Sequence, residues 1–235
     1  MSNFKKSKQS NFKKTKQFKI SMLKRYFYSL IALNAMVLTV LYFTLDIGGN
    51  GVLKTETIQI DQFNHVTLEG IGTAHISKSN SPFLEVTANE NILPLLKISV
   101  EEGNLKIRNE EDAQSSVLLL RIGSPGLQGI TLVGNSTIEV PDVTGESFSI
   151  SITDHGTAEV SGKINKLAVE IKGNGSVRAT NLVARHAEIE ITGKGDIQVH
   201  ATDSLLVNCS GRGNVRYTGQ PVLTNNCKGV IKRIK

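Results

Sequence analysis

The sequence predicts an all-β fold: a parallel β-helix, a solenoid-like stack of rungs of about 18–20 residues, with a less regular N-terminal β half and one preceding transmembrane helix. Three observations carry that reading. A glycine-centred unit recurs at nearly constant spacing through the C-terminal half. Apolar and polar residues alternate on both sides of each unit. One uncharged apolar run stands near the N-terminus, directly behind a purely basic segment.

Residues 1–25 form the first element, a basic cytoplasmic tail. Nine basic residues and no acidic one precede Asp46, although the whole chain carries only +6. The chain from Asp46 onward therefore has 18 basic against 21 acidic residues, a formal charge of −3. A folded nucleic-acid-binding region needs its own basic footprint, so no nucleic acid is expected as a partner. The tail contains a near-duplication, SNFKKSKQ followed by SNFKKTKQ, too polar and self-repelling to fold alone. Its expected partner is anionic membrane lipid; a merely solvated topogenic tail explains the same charges.

Residues 26–45 read YFYSLIALNAMVLTVLYFTL, 20 residues without a charge. A helix of that length crosses a hydrocarbon core of roughly 30 Å. Tyr26, Tyr28 and Tyr42 lie near its ends, and the basic cluster fixes the N-terminus in the cytoplasm. The expectation is an uncleaved signal anchor in the bacterial inner membrane, with the C-terminal domain periplasmic or extracellular. The alternative is secretion after signal-peptide cleavage, but no Ala-x-Ala site follows the run.

After a linker at 46–55, residues 56–125 read as the N-terminal β half and 126–235 as the solenoid repeats. In the first, VTLEGIGTAHI (Val66 to Ile76) carries one copy of the repeated unit. Strands are expected at 84–87, 105–108 and 117–122, with a helical or irregular excursion at 91–97. The junction is placed at 123–126.

The repeat proper appears as LVGNSTI from Leu132, ITDHGTA from Ile152, IKGNGSV from Ile171, ITGKGDI from Ile191 and CSGRGNV from Cys209, with a degenerate start at Cys227. Successive steps are 20, 19, 20, 18 and 18 residues. Alternation assigns an inward set before each corner: Phe148, Ile150 and Ile152; Leu167, Val169 and Ile171; Ile189 and Ile191; Leu205, Val207 and Cys209; Leu223 and Cys227. A second set follows it: Ile138 and Val140, Ala158 and Val160, Val177 and Ala179, Ile197 and Val199, Val215 and Tyr217. No single rung buries these residues; stacked neighbours do. Gly156, Gly175, Gly195 and Gly213 are expected to supply positive φ and close backbone approach at the corner. Ser136 and Asp154 stand where the unit prefers glycine, a local irregularity.

Four features in order, Phe63-x-x-Val-x-Leu-x-Gly-x-Gly-x-Ala-x-Ile76, GNLKI from Gly103, GLQGI from Gly126 and the serial Gly-x-Gly corners, resemble the family described as "putative auto-transporter adhesin, head GIN domain" over roughly residues 56–235. The resemblance implies a β-solenoid domain of the bacterial envelope with no established activity.

The residues offer little chemistry. The glycine pairs at 173–175 and 193–195 precede no helix, so they are corners rather than phosphate loops. His65, His75, His155, His186 and His200 do not fall at metal-ligand spacings. Asp154 with His155, and His200 with Asp203, lack a nucleophile or third partner. No catalytic residue, metal ligand or cofactor is assigned. Cys209 and Cys227 share the inward column on successive rungs, within reach of a disulfide. Free cysteine also packs as a small hydrophobe, and a reduced core pair is the preferred expectation.

The corner tips Asn135, His155, Asn174, Lys194 and Arg212 form a candidate ligand edge. The expected function is non-enzymatic: a membrane-anchored envelope module, adhesin-like or structural, binding protein or polysaccharide. The alternatives are a carbohydrate-active β-helix enzyme, which needs clustered carboxylates on one face, and an envelope signalling protein whose tail meets a cytoplasmic partner.

Overall fold

A computed structural model describes residues 48–109 and 117–234. The basic tail and the apolar run at 26–45 lie outside the described residues. Among those described, no helix is long and apolar enough to cross a membrane.

Among the described residues, alternating sequence gives thirteen strands in one sheet. In order they are β1 (Leu53–Ile58), β2 (His65–Lys78), β3 (Phe83–Asn89), β4 (Lys97–Glu101), β5 (Asn104–Arg108), β6 (Leu118–Ser124), β7 (Gly129–Asp154), β8 (Thr157–Gly173), β9 (Ser176–Gly193), β10 (Asp196–Cys209), β11 (Asn214–Thr218), β12 (Val222–Asn226) and β13 (Val230–Arg233). The helical or irregular excursion is a single 3₁₀ turn at Leu93–Leu95, with proline at its start. β4 follows it as a strand that the sequence did not announce, and β1 begins inside the segment read as linker.

The long strands β7 to β10 pair in parallel and wrap around the corners, which is the stack expected from the repeat. Register makes the ladders explicit. Phe148, Leu167, Ala187 and Leu205 form one column, Ile150, Val169, Ile189 and Val207 a second, and Ile152, Ile171, Ile191 and Cys209 a third. After the corner, Ala74, Ile138, Ala158, Val177, Ile197, Val215 and Ile231 align from the first rung to the last. These aliphatic side chains are buried, apart from the partly buried Cys209 and Ile231. Each fully buried valine, leucine, isoleucine or phenylalanine contributes about 1.5–3 kcal/mol relative to exposure.

On the face before the corner, the ladder stops one rung earlier than the sequence implies. Leu223, assigned inward, is 38% exposed on an otherwise exposed β12, because no further rung covers it. Two short columns that alternation did not reveal, Val143–Gly162–Leu182 and Ile164–Ala184–Ala201, close the core at the turn opposite the corner. The register shifts between Val140 and Val143, between Glu159 and Gly162, and between Val199 and Ser204 all fall at that turn.

The N-terminal half belongs to the same sheet. β2 is a full rung, parallel to β7 from His65↔Gly129 to His75↔Glu139. Beyond it, β5 and β4 extend the face before the corner, while β6, β3 and β1 extend the face after it. The β3–β6, β1–β3 and β4–β5 pairings are antiparallel, so this end departs from the repeat and acts as a cap.

Candidate binding face

The corners divide the glycine work differently from the expectation. Gly156, Gly175, Gly195 and Gly213 are not the positive-φ residues; Gly134, Gly173 and Gly193, two positions earlier, are, together with Asp154 at φ 76°. The second glycine of each pair is there for space: a Cβ on Gly175 would lie 2.6 Å from Ile152 Cγ2 and 3.2 Å from Ile171 Cγ2. Where Ser136 takes this second position, its hydroxyl is buried and donates to the Gly70 carbonyl at 2.8 Å.

The five tips project from these corners, and all five are exposed. Their backbones stack by hydrogen bonds to the preceding corner: His155 N–H to Gly134 O at 3.2 Å, Asn174 to Asp154 O at 2.6 Å, Lys194 to Gly173 O and Arg212 to Gly193 O, both at 2.7 Å. Only Asn174 and His155 touch through side chains, at 3.2 Å between Nδ2 and Nε2. The tips thus share an edge, as expected, without forming a cluster.

The two cysteines are joined. Cys209 and Cys227 form a disulfide with Cα atoms 4.5 Å apart, which corrects the expectation of a reduced pair. The stack brings the two positions to rung spacing, inside the range a disulfide bridges. It ties the exposed last turn to the body of the stack.

A broad concavity lies elsewhere, on the face before the corner, at residues the sequence does not single out. Its outward columns are in register: Ser147, Lys166, His186 and Ser204, then Ser149, Ala168, Glu188 and Leu206. They floor an open groove of about 750 Å³, whose N-terminal wall is Asn64, His65 and Gln128. Asn64 donates to Gln128 Oε1 at 3.3 Å, and His186 Nδ1 meets Ser204 Oγ at 2.9 Å. His65 Nε2 lies 2.9 Å from Thr131 Oγ1; burial pushes its pKa below the ordinary histidine value, so the ring is neutral at neutral pH. The lining is mixed: three serines and two amides stand among five apolar residues, with two histidines, Lys166 and Glu188.

Farther along the same face, Glu170 and Glu190 stand side by side on adjacent rungs. Glu170 is held by Lys172 at 2.6 Å and accepts from Ser151 Oγ at 3.4 Å. Of the acid–base pairs in the sequence, Asp203 contacts Arg185 and Thr202, not His200, and those hydrogen bonds hold its carboxyl below the usual range. Among the described residues no three metal-ligating side chains converge.

The comparisons agree with this architecture. The family model described as "Putative auto-transporter adhesin, head GIN domain" matches residues 62–221. A crystal structure titled a putative adhesin, from Bacteroides fragilis, is similar over 80% of this chain and 100% of its own, with TM-score 0.62 and 24% identity. Two from Parabacteroides distasonis, titled a putative lipid binding protein and a putative adhesin, each cover 80% of this chain and 99% of their own, with TM-score 0.51 at 22% and 24% identity. At such identities the likeness is one of fold. No curated protein matches.

Proposed function

The chain belongs to the auto-transporter adhesin head GIN domain family, and from that premise we propose a non-enzymatic interaction module of the bacterial cell envelope that binds an extended polysaccharide along the face before the corner. The observation that carries this reading is the groove across β7 to β10, where Ser147, Ser149, Lys166, His186, Glu188 and Ser204 stand in in-register columns and Asn64 and Gln128 wall one end. Hydroxyl and amide groups both donate and accept, which suits sugar hydroxyls. A stack whose outward columns recur about every 4.8 Å offers a repeating polymer a repeating set of contacts.

The module is held to the inner membrane by residues 26–45, with the basic tail against anionic lipid in the cytoplasm and the β-stack outside. Support comes from the uncharged 20-residue run and its basic flank. The corner tips Asn135, His155, Asn174, Lys194 and Arg212 make a second, solvated edge beside the groove-bearing face.

The test is a glycan-array screen of the full chain in mild detergent, repeated with Lys166→Glu and His186→Ala. Retention of a polysaccharide that both substitutions weaken supports the reading. Turnover of the bound polysaccharide would overturn its non-enzymatic part, and undiminished retention would move the site off the groove.

A further inference from the structure

The two ends of the stack are unlike its middle. Every exposed large apolar side chain among the described residues lies before residue 120 or after residue 221, and none lies in the rungs between. At the C-terminal end, Val222 is 75% and Val230 62% exposed, with Leu223 beside them; at the other end, Val52 and Leu53 are each 55% exposed.

The sheet is also open at these ends. Among the described residues, β12 pairs only with β10 and β13 only with β11, while β1 pairs only with β3 and β4 only with β5. Among the described residues, each face therefore runs between two edge strands, β4 to β12 before the corner and β1 to β13 after it. An unpaired edge bearing apolar side chains is a template for another strand.

Charge distinguishes one end from the other. After Asp203 the chain has six basic residues and no acidic one. Lys228, Lys232 and Arg233 are exposed on the last turn and carry no ion pair among the described residues. At the capped end, β1 carries Lys54 with Glu56 and β4 carries Lys97 with Glu101, Glu102 follows β4 in the turn, and Glu90 lies beside β1, its N–H bonded to Val52 O at 2.8 Å; the four exposed carboxylates outnumber the two lysines.

The geometry points to head-to-tail association of two copies of this chain, the basic C-terminal edge of one against the acidic N-terminal edge of the next. Tail-to-tail pairing would set Lys228, Lys232 and Arg233 against themselves, whereas head-to-tail pairing joins opposite charges and covers apolar residues on both sides. Such a contact is heterologous, so repetition extends it into a file of copies rather than closing a dimer. The inference is independent of any ligand in the groove.

Sedimentation velocity on the full chain in mild detergent tests it. Association should grow with protein concentration and weaken between low and high salt. The triple variant Lys228→Glu, Lys232→Glu, Arg233→Glu should weaken self-association about tenfold, as should Glu90→Lys, Glu101→Lys, Glu102→Lys. Mixing the two should restore it, because each then meets a complementary end. Unchanged circular dichroism of both variants separates this from misfolding. A wild-type chain that stays monomeric at every concentration, or variants whose mixture fails to recover, overturns the proposal. So does a monomeric wild type whose sedimentation with anionic vesicles is lost in the first variant, since the basic end would then face lipid.

Discussion

Asp154 and Gly173 occupy the same corner position on adjacent rungs, both with positive φ, and a Cβ on Gly173 would lie 2.7 Å from the Asp154 carbonyl oxygen. Glycine takes the left-handed region freely, whereas aspartate pays about 1–2 kcal/mol there. Gly173→Ala adds both strain and a backbone clash and should cost about 2–3 kcal/mol in denaturant unfolding. Asp154→Gly should stay within about 1 kcal/mol of the parent, relief of strain offsetting the added freedom of the unfolded chain. Equal losses from both substitutions would contradict this account of the corner.

Ile171 sits mid-column between Ile152 and Ile191, and its side chain also faces Gly175 and Gly195. Ile171→Ala should cost about 2–5 kcal/mol and Ile171→Val about 1 kcal/mol, since tightly packed rungs collapse poorly into a cavity. Chemical denaturation with matched slopes is the measurement.

The Cys209–Cys227 bond closes an 18-residue loop, one full rung. Its removal by Cys209→Ser with Cys227→Ser should cost about 3 kcal/mol on the loop-entropy estimate. Hydrogen exchange should accelerate first in β12 and β13, which rest only on β10 and β11. Alkylation of the denatured, unreduced chain should leave its mass unchanged; a gain of two adducts would show free thiols.

Half-buried His65 has a folded pKa below the ordinary value of 6.5, caused by burial. Between the folded and ordinary values the unfolded chain binds more protons, so stability is fully present above about pH 6.5 and falls as pH drops toward the folded value. His65→Gln keeps a polar partner for Thr131 and should flatten that slope. A melting-temperature profile from pH 7.5 to 4.5 for both chains would show it; identical slopes would assign the acid sensitivity elsewhere.

How much of this was legible in the sequence depends on period. Columns such as Ile152–Ile171–Ile191 could be read because their spacing stays near 19 residues and their neighbours alternate strictly. The columns Val143–Gly162–Leu182 and Ile164–Ala184–Ala201 could not, because register shifts break their spacing. The corner assignment erred by two residues: composition marks a Gly-x-Gly pair, but only backbone angles tell which member turns and which makes room. The groove escaped notice because Ser147, Lys166, His186 and Ser204 share a location and no chemistry. The disulfide was within reach of the spacing argument, which could not choose between bond and contact.

The placement of every register shift opposite the corner means that rung length and rung phase are decoupled. Rungs of 18, 19 and 20 residues keep the same corner in line because the surplus is absorbed behind Val143, Gly162 and Ala201. That turn is an expansion joint: added residues there leave the groove and the tip edge undisturbed, which makes it the natural place to graft a foreign peptide onto this scaffold.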